Sequence, residues 1–199
     1  MRALSVQGCL VVAVVLGLLG CGSASQAVKV QRPSSPFTAT DAQLFPDGID
    51  LVGDPAGLTG RWADEWATEM RDRVQRSDLV ALVTVNTLRT DISPEQRTTY
   101  WLEAQVKDVL KGTFGADELS LPSSDEDTGF ESVDQKRSSV LRRPLIVLAK
   151  WEQQASGEVR ARWHVAPASK EVVAAVRAHL RHEAPAPSTI IERQYTSGH

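Results

Sequence analysis

The chain has 199 residues, of which 42% are hydrophobic, and a formal net charge of −3. That is enough apolar material to fill the core of one ordinary domain, and too acidic a balance for a nucleic-acid partner. Its two cysteines, Cys9 and Cys21, both lie near the N-terminus, so no disulfide staples the domain and its stability must come from packing.

Arg2 places a positive charge ahead of Leu10 to Leu19, an almost unbroken apolar run. A spanning helix needs about 20 apolar residues, so a run of this length reads as the hydrophobic region of an export signal. Gly20, Cys21, Gly22 and Ser23 then supply the small residues a signal peptidase requires. Leu18-Leu19-Gly20-Cys21 resembles the lipobox of bacterial lipoproteins. The resemblance implies a signal over residues 1–20, cleavage before Cys21, a diacylglyceryl group on its sulfur and an acyl chain on its new amino group. One acyl chain holds a protein marginally, whereas two or three hold it firmly. Gly22, where an aspartate could stand, favours the outer membrane by resemblance to sorting in many diderm bacteria. The alternative is an ordinary secretory signal cut near Ser25, which would release a soluble factor.

Residues 21–60 are rich in Ser, Pro, Gly and Asp and read as a tether, with Leu44, Phe45, Ile49, Leu51 and Val52 available to dock on the domain. The domain is expected over 61–182. Trp62, Trp66, Met70 and Val74 recur every four residues and define a helix over 61–76, with Thr59 as its cap. Leu79 to Leu88 is apolar on both alternating sets and predicts a strand covered on both faces. Tyr100, Leu102, Ala104 and Val106 alternate with polar neighbours in a long strand over 98–110, and a short strand follows at 118–122. Residues 123–143 read as a polar loop. Leu145 to Trp151 is a central strand, and 158–166 is a strand with Val159, Ala161, Trp163 and Val165 on one face and Arg160, Arg162 and His164 on the other. Ser169 caps a last helix ending at 182, and 183–199, with Pro185 and Pro187, reads as a disordered tail.

Short strands joined by turns, without alternating helices, argue for a small antiparallel barrel. Ser77-Asp78-Leu79-Val80-Ala81-Leu82-Val83, Val106-Lys107-Asp108-Val109-Leu110-Lys111-Gly112 and Pro144-Leu145-Ile146-Val147-Leu148 resemble bacterial exported domains with an OB-like barrel related to netrin and tissue-inhibitor-of-metalloproteinases modules. The fold expected is therefore mainly β: a five-stranded OB-like antiparallel barrel with one helix before it and one after. The inhibitory function of the animal modules does not carry over, because it uses a disulfide-bonded N-terminal cysteine, whereas Cys21, the one cysteine expected in the mature chain, is expected to carry lipid and lies far upstream of the barrel.

Few residues point to chemistry. His179, His182 and Glu183 share a helix face with zinc-like spacing, yet no third strong ligand stands out elsewhere. Asp125, Asp127 and Gly129 begin like a calcium loop that lacks its later ligands. No Gly-x-Ser-x-Gly elbow and no phosphate-cradling Gly-rich loop is present. Arg160, Arg162 and His164 on one strand face, and Trp101 outside the apolar alternation of its strand, are the candidate ligand or partner contacts. Trp101 is expected beneath the helix of Trp62 and Trp66, or else in an exposed contact patch. No metal, cofactor or catalytic residue is assigned. The leading expectation is a non-enzymatic envelope lipoprotein, bound to the membrane through lipid on Cys21, whose barrel binds or scaffolds another envelope protein or a glycan. The alternative is an envelope hydrolase with a site built from the polar strand face and the loop over 123–143.

Overall fold

A computed structural model describes residues 33–183. The signal, Cys21 and the tail expected beyond 183 lie outside the described residues. Helix α1 (Ala39–Leu44) opens with a capping box in which Thr38 and Asp41 each accept the other's backbone N–H. Strand β1 (Gly48–Ile49) follows, and a short 3-10 turn over Pro55–Gly57 leads to helix α2 (Arg61–Arg76). Next come strands β2 (Leu79–Ile92), β3 (Thr98–Lys111) and β4 (Glu118–Ser124), helix α3 (Phe130–Val140), strands β5 (Pro144–Gln153) and β6 (Val159–Pro167), and helix α4 (Lys170–Glu183). Among the described residues no helix is long and apolar enough to cross a membrane.

The six strands form one curled sheet in the order β1-β6-β5-β2-β3-β4, a half-barrel. Every pairing is antiparallel except β1 with β6, which is parallel and joins Gly48 to His164 and Ile49 to Val165. The expected five-stranded antiparallel barrel is thus corrected to a six-stranded mixed sheet that does not close through its own ladder. Register shifts along β2, between Val80/Ala81, Leu82/Val83 and Val85/Thr87, supply the bends that curl it.

Two cores result, because β2 and β5 are apolar on both faces. Inside the curl, Leu79, Ala81, Val83 and Val85 pack with Leu102, Ala104, Val147 and Trp163. Outside it, Val80, Ile146 and Leu148 are covered by Phe45, Met70, Val74, Val172 and Val176, which belong to the N-terminal segment, α2 and α4. The α2 stripe is graded: Met70 and Val74 are fully buried, Trp66 is half-buried, and Trp62 is 64% exposed. Gly60, not Thr59, occupies the N-cap of α2.

Within the segment read as a tether, the described residues from 33 onward include α1 and β1, and Leu44, Phe45 and Ile49 are buried while Leu51 is exposed. Its docking depends on two glycines. A Cβ on Gly129 would lie 2.6 Å from the Cα of Gly48 and 2.6 Å from the Pro46 carbonyl oxygen, so only glycine permits this crossing. Residues 123–143, expected as a loop, contain α3, which buries Val133 and Val140. The helix packs on β1 and β4 through a narrow apolar edge, too sparse to read as a stripe in sequence.

Candidate binding cleft

Arg160 and Arg162 follow the expected alternation, but the face they share with His164 is covered by the segment over 33–49. Asp47 sits at that crossing with a left-handed backbone, φ 59°. Its Oδ1 accepts the Trp163 N–H over 2.8 Å, and its Oδ2 lies 2.9 Å from Arg160 Nη2 and 3.0 Å from Arg162 Nε. Asp127 meets the same two guanidiniums, at 2.6 Å from Arg160 Nη2 and 3.3 Å from Arg162 Nη1, and accepts the Ser124 N–H over 2.8 Å. The Phe37 ring centroid lies 5.9 Å from the Arg162 guanidinium on another side.

Burial pushes the Asp47 carboxyl up to about 7 and the charge on Asp127 adds to this, against the two guanidiniums and the Trp163 amide that hold it down. Burial works the same way on Asp127, but the Ser124 amide and Arg160 outweigh it and leave its carboxyl below the ordinary value. A carboxyl near neutrality suits proton transfer, yet the Asp47 side chain is 0% exposed and meets no solvent. Two carboxylates set against two guanidiniums leave little net charge, so the arginines of this strand face, read from the sequence as ligand or partner contacts, are engaged in an internal ion-pair cluster.

His164 departs further from expectation. It is 5% exposed and paired beside Gly48 rather than facing solvent, and among the described residues neither ring nitrogen has a hydrogen-bond partner. Burial first, then the charges of Arg73 and Lys136, hold it well below the usual imidazole value. A neutral imidazole sealed in this way reaches no substrate.

Trp101 and Arg160, far apart in sequence, are brought together. They line an open cleft of about 370 Å³ between the outer side of β3 and β4 and the hairpin of β5 and β6, with Ser120, Pro122, Val159 and Ala161. The Arg89 guanidinium lies 4.7 Å from the Trp101 ring centroid, and the indole Nε1 is buried without a partner. Trp101 is half-buried and joins neither core, the outer one that α2 covers included, so it lines the cleft wall and is neither packed beneath α2 nor fully exposed. Across the cleft floor, Trp163 Nε1 donates to the Pro122 carbonyl over 2.8 Å.

The suggested calcium ligands are spent elsewhere. Asp127 holds the arginines, Asp125 accepts the Thr98 N–H over 3.2 Å, and Gly129 is the N-cap of α3. Among the described residues no three His, Cys, Asp or Glu side chains gather as metal ligands. Asp47 is the residue that sequence reasoning missed, and Asp127 was read there only as part of a calcium-like loop; the Asp47-Gly48 pair, a turn signal between two apolar stretches, was the available hint. No family model, curated protein or solved structure matches this chain.

Proposed function

We propose that this chain is a lipid-anchored lipoprotein of the bacterial envelope, on the outer membrane, whose domain is a binding or scaffold module engaging another envelope component at the cleft of Trp101 and Arg160. The observation that carries the binding role is this assembly of an aromatic wall, a guanidinium and two strand edges from opposite ends of the sheet into one open cleft. The anchor rests on Leu18-Leu19-Gly20-Cys21. The first described residue, Pro33, lies twelve positions beyond Cys21, so the domain works within about 40 Å of the membrane. The groups a hydrolase would need stand apart: His164 is buried away from the cleft lining while Arg160 is held by Asp47 and Asp127.

Two measurements test this. Mass spectrometry of the mature N-terminal peptide is expected to find an acylated Cys21; an unmodified peptide starting near Gln26 would leave a soluble factor instead. A photoreactive amino acid at position 101 is expected to crosslink an envelope component that the same group at position 62 does not. Equal labelling from both positions would remove the cleft from the proposal.

A further inference from the structure

We propose that the cleft receives an extended peptide of a partner protein, which pairs with the edges of β4 and β6 as an added strand and completes the half-barrel. This rests on reading the cleft as the binding site. Strand β6 pairs with β1 at His164 and Val165, which leaves Val159 to Arg162, among the described residues, with a strand neighbour on the β5 side only. Trp163 sends its N–H and C=O toward the β1 side, where Asp47 binds both, and the Val165 carbonyl receives the Asp50 N–H there. Alternation along a strand then directs the N–H and C=O of Ala161 and Val159 the same way, into the cleft.

The facing wall has the same character. Strand β4 is the last in the sheet. Its Pro122 carbonyl points at Trp163 and its Ser124 N–H at Asp127, which marks the outward set of main-chain groups. Ser120 belongs to that set. Among the described residues, no main-chain hydrogen bond outside the sheet engages Ser120, Val159 or Ala161. The inner end of the slot is shut by the Trp163–Pro122 bond and by Arg160 on Asp127, and Pro122 has no N–H to offer. Past that point two unpaired edges confront each other across about 370 Å³, room for a strand of roughly four residues, about 13 Å long.

Strand geometry also fixes the chemistry of the occupant. Side chains of an inserted strand alternate between the two faces of the sheet. The inward ones would meet Val159 and Ala161, which pack on the inner core yet remain half-exposed. The outward ones would lie beside Trp101 and Ser120. Arg160 is already paired with Asp47 and Asp127, and Glu158 adds a negative charge to the same wall, so the fitting segment alternates apolar and polar residues and is not acidic. Main-chain bonds would give affinity and the alternating pockets specificity.

The probe is a displayed library of random heptapeptides, selected on the whole chain in detergent micelles. Enrichment of alternating apolar/polar sequences is expected, with binding lost at least about tenfold in Ala161→Pro, which deletes an outward N–H without touching the β5 ladder. Ser120→Pro repeats the comparison from the other wall in case that variant folds poorly. Hydrogen exchange should show the amides of 159 and 161 fast in the unliganded chain and slowed by a selected peptide, and N-methylation of alternate peptide amides should abolish the slowing. The proposal falls if no alternating sequence is enriched or if the proline variants bind equally well. It also falls if those amides are already protected before peptide is added, which would mean that residues of this chain beyond 183 fill the slot. Crosslinking from position 101 without any peptide enrichment would keep the cleft as a binding site and exclude a strand as its occupant.

Discussion

The indole N–H of Trp163 donates to the main-chain carbonyl of Pro122 over 2.8 Å, and this bond between β6 and β4 spans the seam that the sheet's own ladder leaves open. Trp163 is fully buried. Trp163→Phe keeps an aromatic ring in the inner core but removes the donor to the half-buried Pro122 carbonyl, a loss of about 1 kcal/mol for one hydrogen bond. Urea unfolding should show that loss, and exchange at Leu121 and Ser123 should quicken more than exchange in β5. An unchanged midpoint would mean that the Asp127 ion pairs hold the seam unaided.

The crossing of Gly48 and Gly129 makes a sharper prediction. Gly129→Ala would drive a methyl group to 2.6 Å from backbone atoms of the N-terminal segment, with no flexible side chain able to yield. Overpacking of this kind costs about 1–3 kcal/mol, and here it should appear as release of the segment over 38–49, read as new proteolysis near α1. Gly157→Ala is the comparison: its φ of 86° makes alanine strained, but nothing lies within 4 Å, so it should cost about 1 kcal/mol and leave the segment protected. Similar cleavage in both variants would show that backbone strain, not the crossing, matters.

Much of the sheet was legible in the sequence because strand periodicity is local. The alternation around Tyr100 to Val106 and the doubly apolar stretches at Leu79 and Leu145 fall on β3, β2 and β5. What failed was long-range or short. Strand β1 is two residues long and gains its place from Ser132 and Lys136, which bind Ile49 from distant positions, and from its neighbour Asp47, which binds the distant Trp163. The face of Arg160, Arg162 and His164 was placed correctly on its strand but read as a ligand or partner contact, because its cover lies 113 residues away at Asp47. Alternation reports which side chains share a face; it carries no information about what covers that face.

His164 should make stability acid-sensitive. Burial with Arg73 of α2 and Lys136 of α3 nearby lowers its folded pKa below the unfolded value of 6.5. The unfolded chain therefore binds more protons in that range, and the contribution of His164 is present above pH 6.5 and lost as pH falls toward the folded value. Asp47 opposes it: its pKa rises from 3.8 to about 7, so its contribution is present below pH 3.8 and lost as pH climbs to about 7. The wild-type profile thus mixes two slopes, and the difference between wild type and His164→Leu isolates one of them. Chemical unfolding between pH 7 and 5 should find His164→Leu gaining steadily on wild type as the solution is acidified. Parallel curves would mean that the imidazole is not sealed in the folded chain.

The outer core contains a second buried charge pair whose loss should be asymmetric. Lys150 Nζ lies 3.2 Å from Asp78 Oδ1, with side-chain exposures of 2% and 4%. Asp78 also accepts the N–H of Ser34 over 3.2 Å and of Trp151 over 2.9 Å, so it ties the N-terminal segment to β5. Among the described residues Lys150 otherwise bonds Ser34 and Ser35, and its cross-strand neighbour on β6 is another cation, Arg162. Asp78→Ala therefore strands an ammonium and orphans the Trp151 N–H, which should cost about 3–5 kcal/mol. Lys150→Met leaves a carboxylate that keeps its amide donors, and should cost less. Combining both substitutions removes the stranded charge, so the double variant is expected to be more stable than Asp78→Ala by about 1 kcal/mol or more. Guanidinium unfolding of the four proteins decides it: a double variant less stable than Asp78→Ala would show that Lys150 is held by the serines and the surrounding packing rather than by Asp78.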